Sequence, residues 1–370
     1  NDLEKIISLI EKATKPIIIC GAGIKNSNSQ EEVISLSKSL NIPLVSSAGH
    51  GDVIPFDCDL YAGQMGPRGN KVASYLANHA DLILAIGTRL GFNSTFYSYD
   101  NISKSAKIVQ VDIDPIALGR YFPIELGINN DAKKFLENLS SMISLKKFNH
   151  NNTVWVNNFF NEKNKYYKNR DNEADTNSKI IQPSGLFKEL REILPKNSSV
   201  TLDAGTLCLQ ATDQFYFSKP KSLFTPLDFG LVGFSFAAGL GVKLAQPNTP
   251  VFSLMGDGGF GMTVSELSTA VQHKINTITI VMNNKSWGAE KAYQRDYYNK
   301  RYIGADISSP PFHELAELYG AKGYHITQLK DVKKAIKDAL VCNKPAIVNV
   351  EVDPKALYSF RKDSFKHRAK

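Results

Sequence analysis

The stretch VFSLMGDGGF at 251–260, read together with TITIVMNNKSWG at 277–288, decides the fold. Each half is an apolar, β-rich run closed by Gly, Asp or Asn, and the residues between them have the pattern of one amphipathic helix. The order is therefore strand, helix, strand. Such a crossover is right-handed and brings both strand ends to the same C-terminal edge of a parallel sheet. Neighbouring strands lie about 4.8 Å apart, so Asp257 and Asn284 are expected to share one small cation. A carboxylate and an amide oxygen beside glycine backbone are hard ligands, suited to Mg2+ holding a diphosphate.

The turn after the first strand is rich in glycine: Gly256, Gly258, Gly259 and Gly261 let backbone approach an anion closely. Thr263-Val264-Ser265-Glu266 has the form of a capping box, with Thr263 as N-cap and Glu266 three residues on. Val264, Leu267 and Val271 would form the buried stripe of that helix, with His273 and Lys274 in its last turn. Taken singly, GDGG and Asn283-Asn284 are ordinary turns. On consecutive strand ends they read as a site.

Outward from this unit, the chain alternates strands and helices. Apolar runs at 16–20, 43–47, 80–87 and 106–114 belong to a first region, and runs at 200–205, 222–226 and 346–353 join the opening pair in a second. The fold class is α/β, with two parallel-sheet domains. Residues 1–147 form a central nucleotide-binding-like domain of Rossmann style. Residues 148–183 form a linker with one helix around 155–167, and residues 184–370 form the C-terminal domain. Gly21-Ala22-Gly23 follows a strand but lacks the third glycine of a dinucleotide fingerprint, which favours a tight turn. Asp112 and Asp114 end a strand where a ribose would sit, yet Asp before Pro is also a turn starter. Arg68 and Arg89 are single basic residues, read as surface charges.

With 370 residues and 42% apolar content, the chain is long enough for two ordinary cores. No apolar run approaches the roughly 20 residues of a membrane span. The net charge of +8 comes from lysines dispersed among acids rather than from a basic stripe, which argues against nucleic acid. Cys20, Cys58, Cys208 and Cys342 form no C-x-x-C, as expected of idle thiols in the cytoplasm.

GDG followed by NN at this spacing resembles the diphosphate-binding motif of thiamine diphosphate enzymes. The run from Ile6 to about Val352 resembles the central and C-terminal domains of the acetolactate synthase, pyruvate oxidase and sulfoacetaldehyde acetyltransferase group. The resemblance implies that Asp257, the Asn284 side chain and the Ser286 carbonyl bind Mg2+. It implies that backbone around Gly258, Gly259, Gly288 and Ala289 holds the diphosphate, with Gly205, Thr206 and Leu207 reaching its other side. Thr206 and Leu207 depart from the Gln and His usual in acetolactate synthases. Gly230 and Val232 would hydrogen-bond the aminopyrimidine through their backbone, and the Val232 side chain would wedge the cofactor into its bent shape. The run Ser286-Trp287-Gly288-Ala289-Glu290-Lys291 looks more like sulfoacetaldehyde acetyltransferases. In it Trp287 would shape the pocket, while Glu290 with Lys291 would order a lid.

The implied activity is carbon–carbon cleavage and acyl transfer on a 2-oxo acid or aldehyde. Acetolactate synthase is the leading type, and sulfoacetaldehyde acetyltransferase the alternative. The glutamate that activates the cofactor lies, in this group, in a pyrimidine-binding domain that no segment here resembles. The chain is therefore expected to be part of a longer protein, a homodimer or homotetramer when intact, or else a non-catalytic subunit. FAD or another nucleotide in the first domain remains an open expectation.

Overall fold

The computed structural model describes residues 2–145, 151–205 and 210–358. These divide into two compact units, one comprising residues 1–170 with 217–221 and the other 171–216 with 222–370. Each unit is built on a six-stranded sheet in which every pairing is parallel.

The first sheet contains β1 (Pro16–Cys20), β2 (Leu44–Ser46), β3 (Tyr61–Gln64), β4 (Leu82–Ile86), β5 (Lys107–Asp112) and β6 (Leu126–Asn129), in the order β3-β2-β1-β4-β5-β6. Parallel strands covered by helices on both faces must be apolar throughout, and PIIIC and LILAI are buried at every position. Alternate residues serve the two faces: Ile18 and Cys20 pack on one side, Ile17 and Ile19 on the other. Sequence reading missed β3 and β6 because YAGQ and LGIN are short and mix polarities. The helix Thr153–Glu173 is longer than expected and continues through residues read as irregular. Its Trp155, Val156 and Phe159 are buried in the core of the first unit, and the Trp155 indole N–H donates to the Pro16 carbonyl at 3.2 Å.

The second sheet contains β7 (Ser199–Leu202), β8 (Leu223–Phe224), β9 (Val251–Gly256), β10 (Ile278–Asn283), β11 (Lys322–Ile326) and β12 (Ala346–Glu351), in the order β11-β12-β10-β9-β7-β8. β8 lies on one side of β7 and β9 on the other, so the winding reverses between β7 and β9. A crevice opens at such a reversal, at the C-terminal ends of the strands. Helix Phe234–Ala245 packs across β7 and β9. A buried hydroxyl cluster fixes it there: Thr201 Oγ1 donates to Ser253 Oγ at 2.9 Å, and Ser235 Oγ donates to the Thr201 carbonyl at 2.8 Å. Three buried rings, Phe236, Phe260 and Phe312, meet edge to face at 5.3 and 5.0 Å in the core of this unit.

The crossover from β9 to β10 differs from expectation. It is not one helix capped by Thr263 but the helix Asp257–Thr263, a 3-10 turn Val264–Glu266 and the helix Leu267–Gln272. Thr263 makes no side-chain cap, and its hydroxyl is buried without a partner. The helix begins at the glycines because Gly256 is already extended, at φ −78° and ψ 162°, and hands the chain directly to Asp257. The capping-box pattern was a coincidence of composition at a point where the chain only tightens.

Candidate functional site

Asp257 and Asn284 follow directly on β9 and β10, which are hydrogen-bonded neighbours. Both are buried, as is Ser286. Asn283 and Asn284 divide their work by alternation along the chain. The Asn283 amide turns to the neighbouring strand, donating to Asn349 Oδ1 at 3.1 Å and accepting from the Lys285 N–H at 3.2 Å. The Asn284 amide turns to Asp257. One terminal atom of that amide lies 3.2 Å from Asp257 Oδ1 and 2.9 Å from the Ser286 carbonyl oxygen. An amide can meet two acceptors in two ways. It presents its NH2 and donates to both, or it presents its oxygen and completes a triad of oxygens that only a cation can hold together.

The second arrangement fits a small hard ion. Oxygens about 2.0–2.1 Å from an octahedral Mg2+ lie about 2.9 Å from one another, which matches the spacing here. Among the described residues no three His, Cys, Asp or Glu side chains converge as a metal cluster. Any ion at this place would be held by one carboxylate, one amide and backbone. Burial pushes the Asp257 carboxyl above its ordinary range, opposed first by the hydroxyl of Ser309, which donates to Oδ2 at 2.7 Å.

Two helices start at the triad, Asp257–Thr263 and Gly288–Tyr297. The first N–H groups of a helix have no partner within it and favour anionic groups. Gly288 and Ala289 open the second helix. Gly258 and Gly259 also have protein atoms where a side chain would stand. A Cβ on Gly258 would lie 2.6 Å from the Trp287 ring, and one on Gly259 would lie 2.1 Å from Asp203 Oδ2. Trp287 therefore packs against the glycine turn. The position of a Cβ on Gly259 is also 3.4 Å from Val232 Cγ1, which brings Val232 to the same turn. Gly230 has φ +75°, with open space where a side chain would stand.

Asp203 is a residue that sequence reading missed. It ends β7, is 1% exposed, and accepts N–H groups from Gly233 at 3.0 Å and Ser235 at 3.4 Å. It thereby ties the segment 230–233 to the strand end, at the start of helix Phe234–Ala245. Its burial pushes the carboxyl upward against those donors. The available signal was its position, an acid closing an apolar strand just as Asp257 does. Ser309 was also missed, because no local pattern marks a serine that precedes Pro310-Pro311 and a helix.

Other expected residues fall elsewhere. Gly205 follows Asp203 by two positions, while Thr206 and Leu207 lie outside the described residues. Glu290 is exposed, and Lys291 pairs with Asp306 rather than with Glu290. In the first unit, Gly21 and Gly23 donate their N–H groups to the carbonyls of Ile86 and Gly87, each at 3.0 Å. A Cβ on Gly23 would lie 2.5 Å from Gly87 Cα, so the glycines let two strand ends touch. Asp112 accepts the Asp114 N–H, and Asp114 caps the 3-10 helix Pro115–Ala117 by accepting from Ile116, each at 3.0 Å. Arg68 donates to Asn93 at 3.3 Å, and Arg89 is exposed. No helix among the described residues is long and apolar enough to cross a membrane. Cys20, Cys58 and Cys342 form no disulfide.

Comparison with known proteins gives a consistent result across both units. Residues 3–139 match the family model "Thiamine pyrophosphate enzyme, central domain", and residues 203–350 match "Thiamine pyrophosphate enzyme, C-terminal TPP binding domain". The chain is 31% identical over 92% of its length to a sulfoacetaldehyde acetyltransferase of Castellaniella defragrans, and 30% identical over 91% to one of Alcaligenes xylosoxydans xylosoxydans. It is 29% identical over 97% of its length to a probable acetolactate synthase large subunit of Methanococcus aeolicus. The chain spans 60, 60 and 61% of these three relatives.

Proposed function

The chain belongs to the thiamine pyrophosphate enzymes, and from that premise we propose that it holds the Mg2+ and diphosphate of thiamine diphosphate in a 2-oxo acid carboligase or lyase of the acetolactate synthase type. The observation that carries this reading is the oxygen triad of Asp257, Asn284 and Ser286 at the ends of adjacent strands, with distances of 2.9 and 3.2 Å. Bound there, the cofactor supplies a carbon nucleophile and an electron sink for the carbon next to a 2-oxo group.

The chain's own residues bind and orient. Asp257, the Asn284 amide oxygen and the Ser286 carbonyl would hold the ion, which would offset the charge between the diphosphate and the Asp257 carboxylate. The N–H groups at the start of Gly288–Tyr297 face the phosphate oxygens, an interaction worth about 0.3–1 kcal/mol from the dipole. Gly230 and Val232 present backbone to the aminopyrimidine, and Asp203 keeps that backbone in place by accepting the N–H of Gly233. Val232, packed beside Gly259, is the side chain that would wedge a bound cofactor into its bent shape. Trp287 packs against Gly258 and would help keep water from a cofactor bound there.

A second reading, sulfoacetaldehyde acetyltransferase, is favoured by the Trp287-to-Lys291 run and by the similarity to two proteins of that name. The two readings differ in product. The first expects acetolactate from pyruvate, the second acetyl phosphate from sulfoacetaldehyde and phosphate. Assays of the intact protein with both substrates separate them, and inactivity toward both rejects both.

A further inference from the structure

The segment Ala305–Ser309 runs across the oxygen triad like a strap and touches it at several points. The Trp287 N–H donates to the Ala305 carbonyl at 2.8 Å, and the Ile307 N–H donates to the Lys285 carbonyl at 3.1 Å. These bonds hold both neighbours of Ser286, and Ser286 itself forms an antiparallel bridge with Asp306. The Lys291–Asp306 ion pair adds a side-chain tie. Beyond the strap, buried Phe312 is locked edge to face against Phe260, three residues past Asp257. Between these anchors Ser309 is delivered to Asp257, where its hydroxyl donates to Oδ2 at 2.7 Å.

The consequence for the carboxylate is directional. Oδ2 is engaged by the strap, and Oδ1 is the oxygen that faces the Asn284 amide at 3.2 Å. A hydroxyl bond to one oxygen fixes the torsion of the side chain and so aims the other. Partners of this kind orient metal-ligating carboxylates in general.

The geometry points to Ser309 as a positioning residue for the cation site, holding Asp257 so that Oδ1 faces Asn284 and Ser286. This rests on the reading of that triad as a metal site. Ser309 does not touch the ion. It sets the angle at which Asp257 offers its charge, and the strap carries that constraint to Ser286 as well.

Binding of Mn2+, followed in the intact protein by the electron paramagnetic resonance signal of the free ion with thiamine diphosphate present, tests this directly. Ser309→Ala is expected to weaken Mn2+ by about 10–100-fold, as for other residues that orient a ligand. Ser309→Thr keeps the hydroxyl and is expected to bind Mn2+ like the parent. The rise in melting midpoint caused by Mn2+, each variant read against its own metal-free midpoint, should shrink for Ser309→Ala and not for Ser309→Thr. Asp257→Asn serves as the control for the site itself. If Asp257→Asn weakens Mn2+ and Ser309→Ala does not, the role given to Ser309 is wrong and the site stands. Equal weakening by Ser309→Ala and Ser309→Thr also overturns it, since the hydroxyl would then be irrelevant. If Asp257→Asn leaves Mn2+ binding unchanged, the metal site itself falls.

Discussion

At the residue scale the site is organised by two buried aspartates that differ in their side-chain partners. Asp257 meets the Ser309 hydroxyl and the Asn284 amide, whereas Asp203 accepts the backbone N–H groups of Gly233 and Ser235. On the proposed metal reading, replacing Asp257 by Ala removes a ligand rather than its orientation. Mg2+-dependent binding of thiamine diphosphate, measured by titration calorimetry, should therefore weaken beyond the roughly 100-fold limit of orienting partners. Asp203 gives a pH signature. Its carboxyl is raised by burial, so the folded state holds the proton more tightly than the unfolded one. Its contribution is full below the ordinary carboxylate pKa of about 3.9 and is lost as pH rises through the higher folded value. Asp203→Asn does not titrate. The stability gap between parent and variant should therefore change from about pH 4 upward, the parent losing ground, as melting midpoints across pH 4–7 would record.

The glycines of the turn are also distinguishable one by one. Gly259→Ala drives a methyl to within 2.1 Å of Asp203 Oδ2 and should cost about 1–3 kcal/mol, as overpacking does. Gly256 has open space and an ordinary φ, so Gly256→Ala should stay within about 0.5 kcal/mol of the parent by denaturant unfolding. Spacing in the sequence made Asp257 and Asn284 legible. It could not reveal which neighbours require glycine, because Trp287 and Asp203 reach the turn through space.

At the element scale, long apolar strands were readable and short mixed ones were not. VFSLM and TITIVM announce themselves, whereas KGYHI became β11 because a parallel neighbour, β12, supplies its hydrogen bonds. Pairing energy of that sort leaves little mark on composition. The broken crossover after β9 was misread for a related reason: Thr263 and Glu266 have the right spacing, but the helix had already begun at Asp257. The helix Phe234–Ala245 depends on the hydroxyl cluster beneath it. Thr201→Val keeps shape but leaves Ser235 and Ser253 short of a partner. It should cost about 1–3 kcal/mol and speed hydrogen exchange at the start of that helix.

At the scale of the whole molecule, two sheets of the same style are used differently at their reversal points. In the first, Gly21 and Gly23 bring two strand ends into backbone contact with Gly87. In the second, the acids Asp203 and Asp257 stand at the ends of the two strands flanking the reversal. Ligand should therefore act on one unit. Thiamine diphosphate with Mg2+ at about 100 times its Kd should add about 2.7 kcal/mol of stability. Hydrogen exchange should slow at the ends of β7, β9 and β10, while residues 2–145 keep their rates.

The engagement of Asp257 Oδ2 by Ser309 has one more consequence. A carboxylate with both oxygens unengaged can grip a large ion with two bonds, as calcium sites commonly do. On the proposed metal reading, Ser309 occupies one lone pair of Oδ2 and Oδ1 is the oxygen turned to the ion, beside an amide and a carbonyl with one oxygen each. On that reading the three protein oxygens suit an ion that completes six ligands with phosphate and water better than one that wants seven or eight. On the proposed reading, a serine that never meets the ion bears on which ion the site prefers.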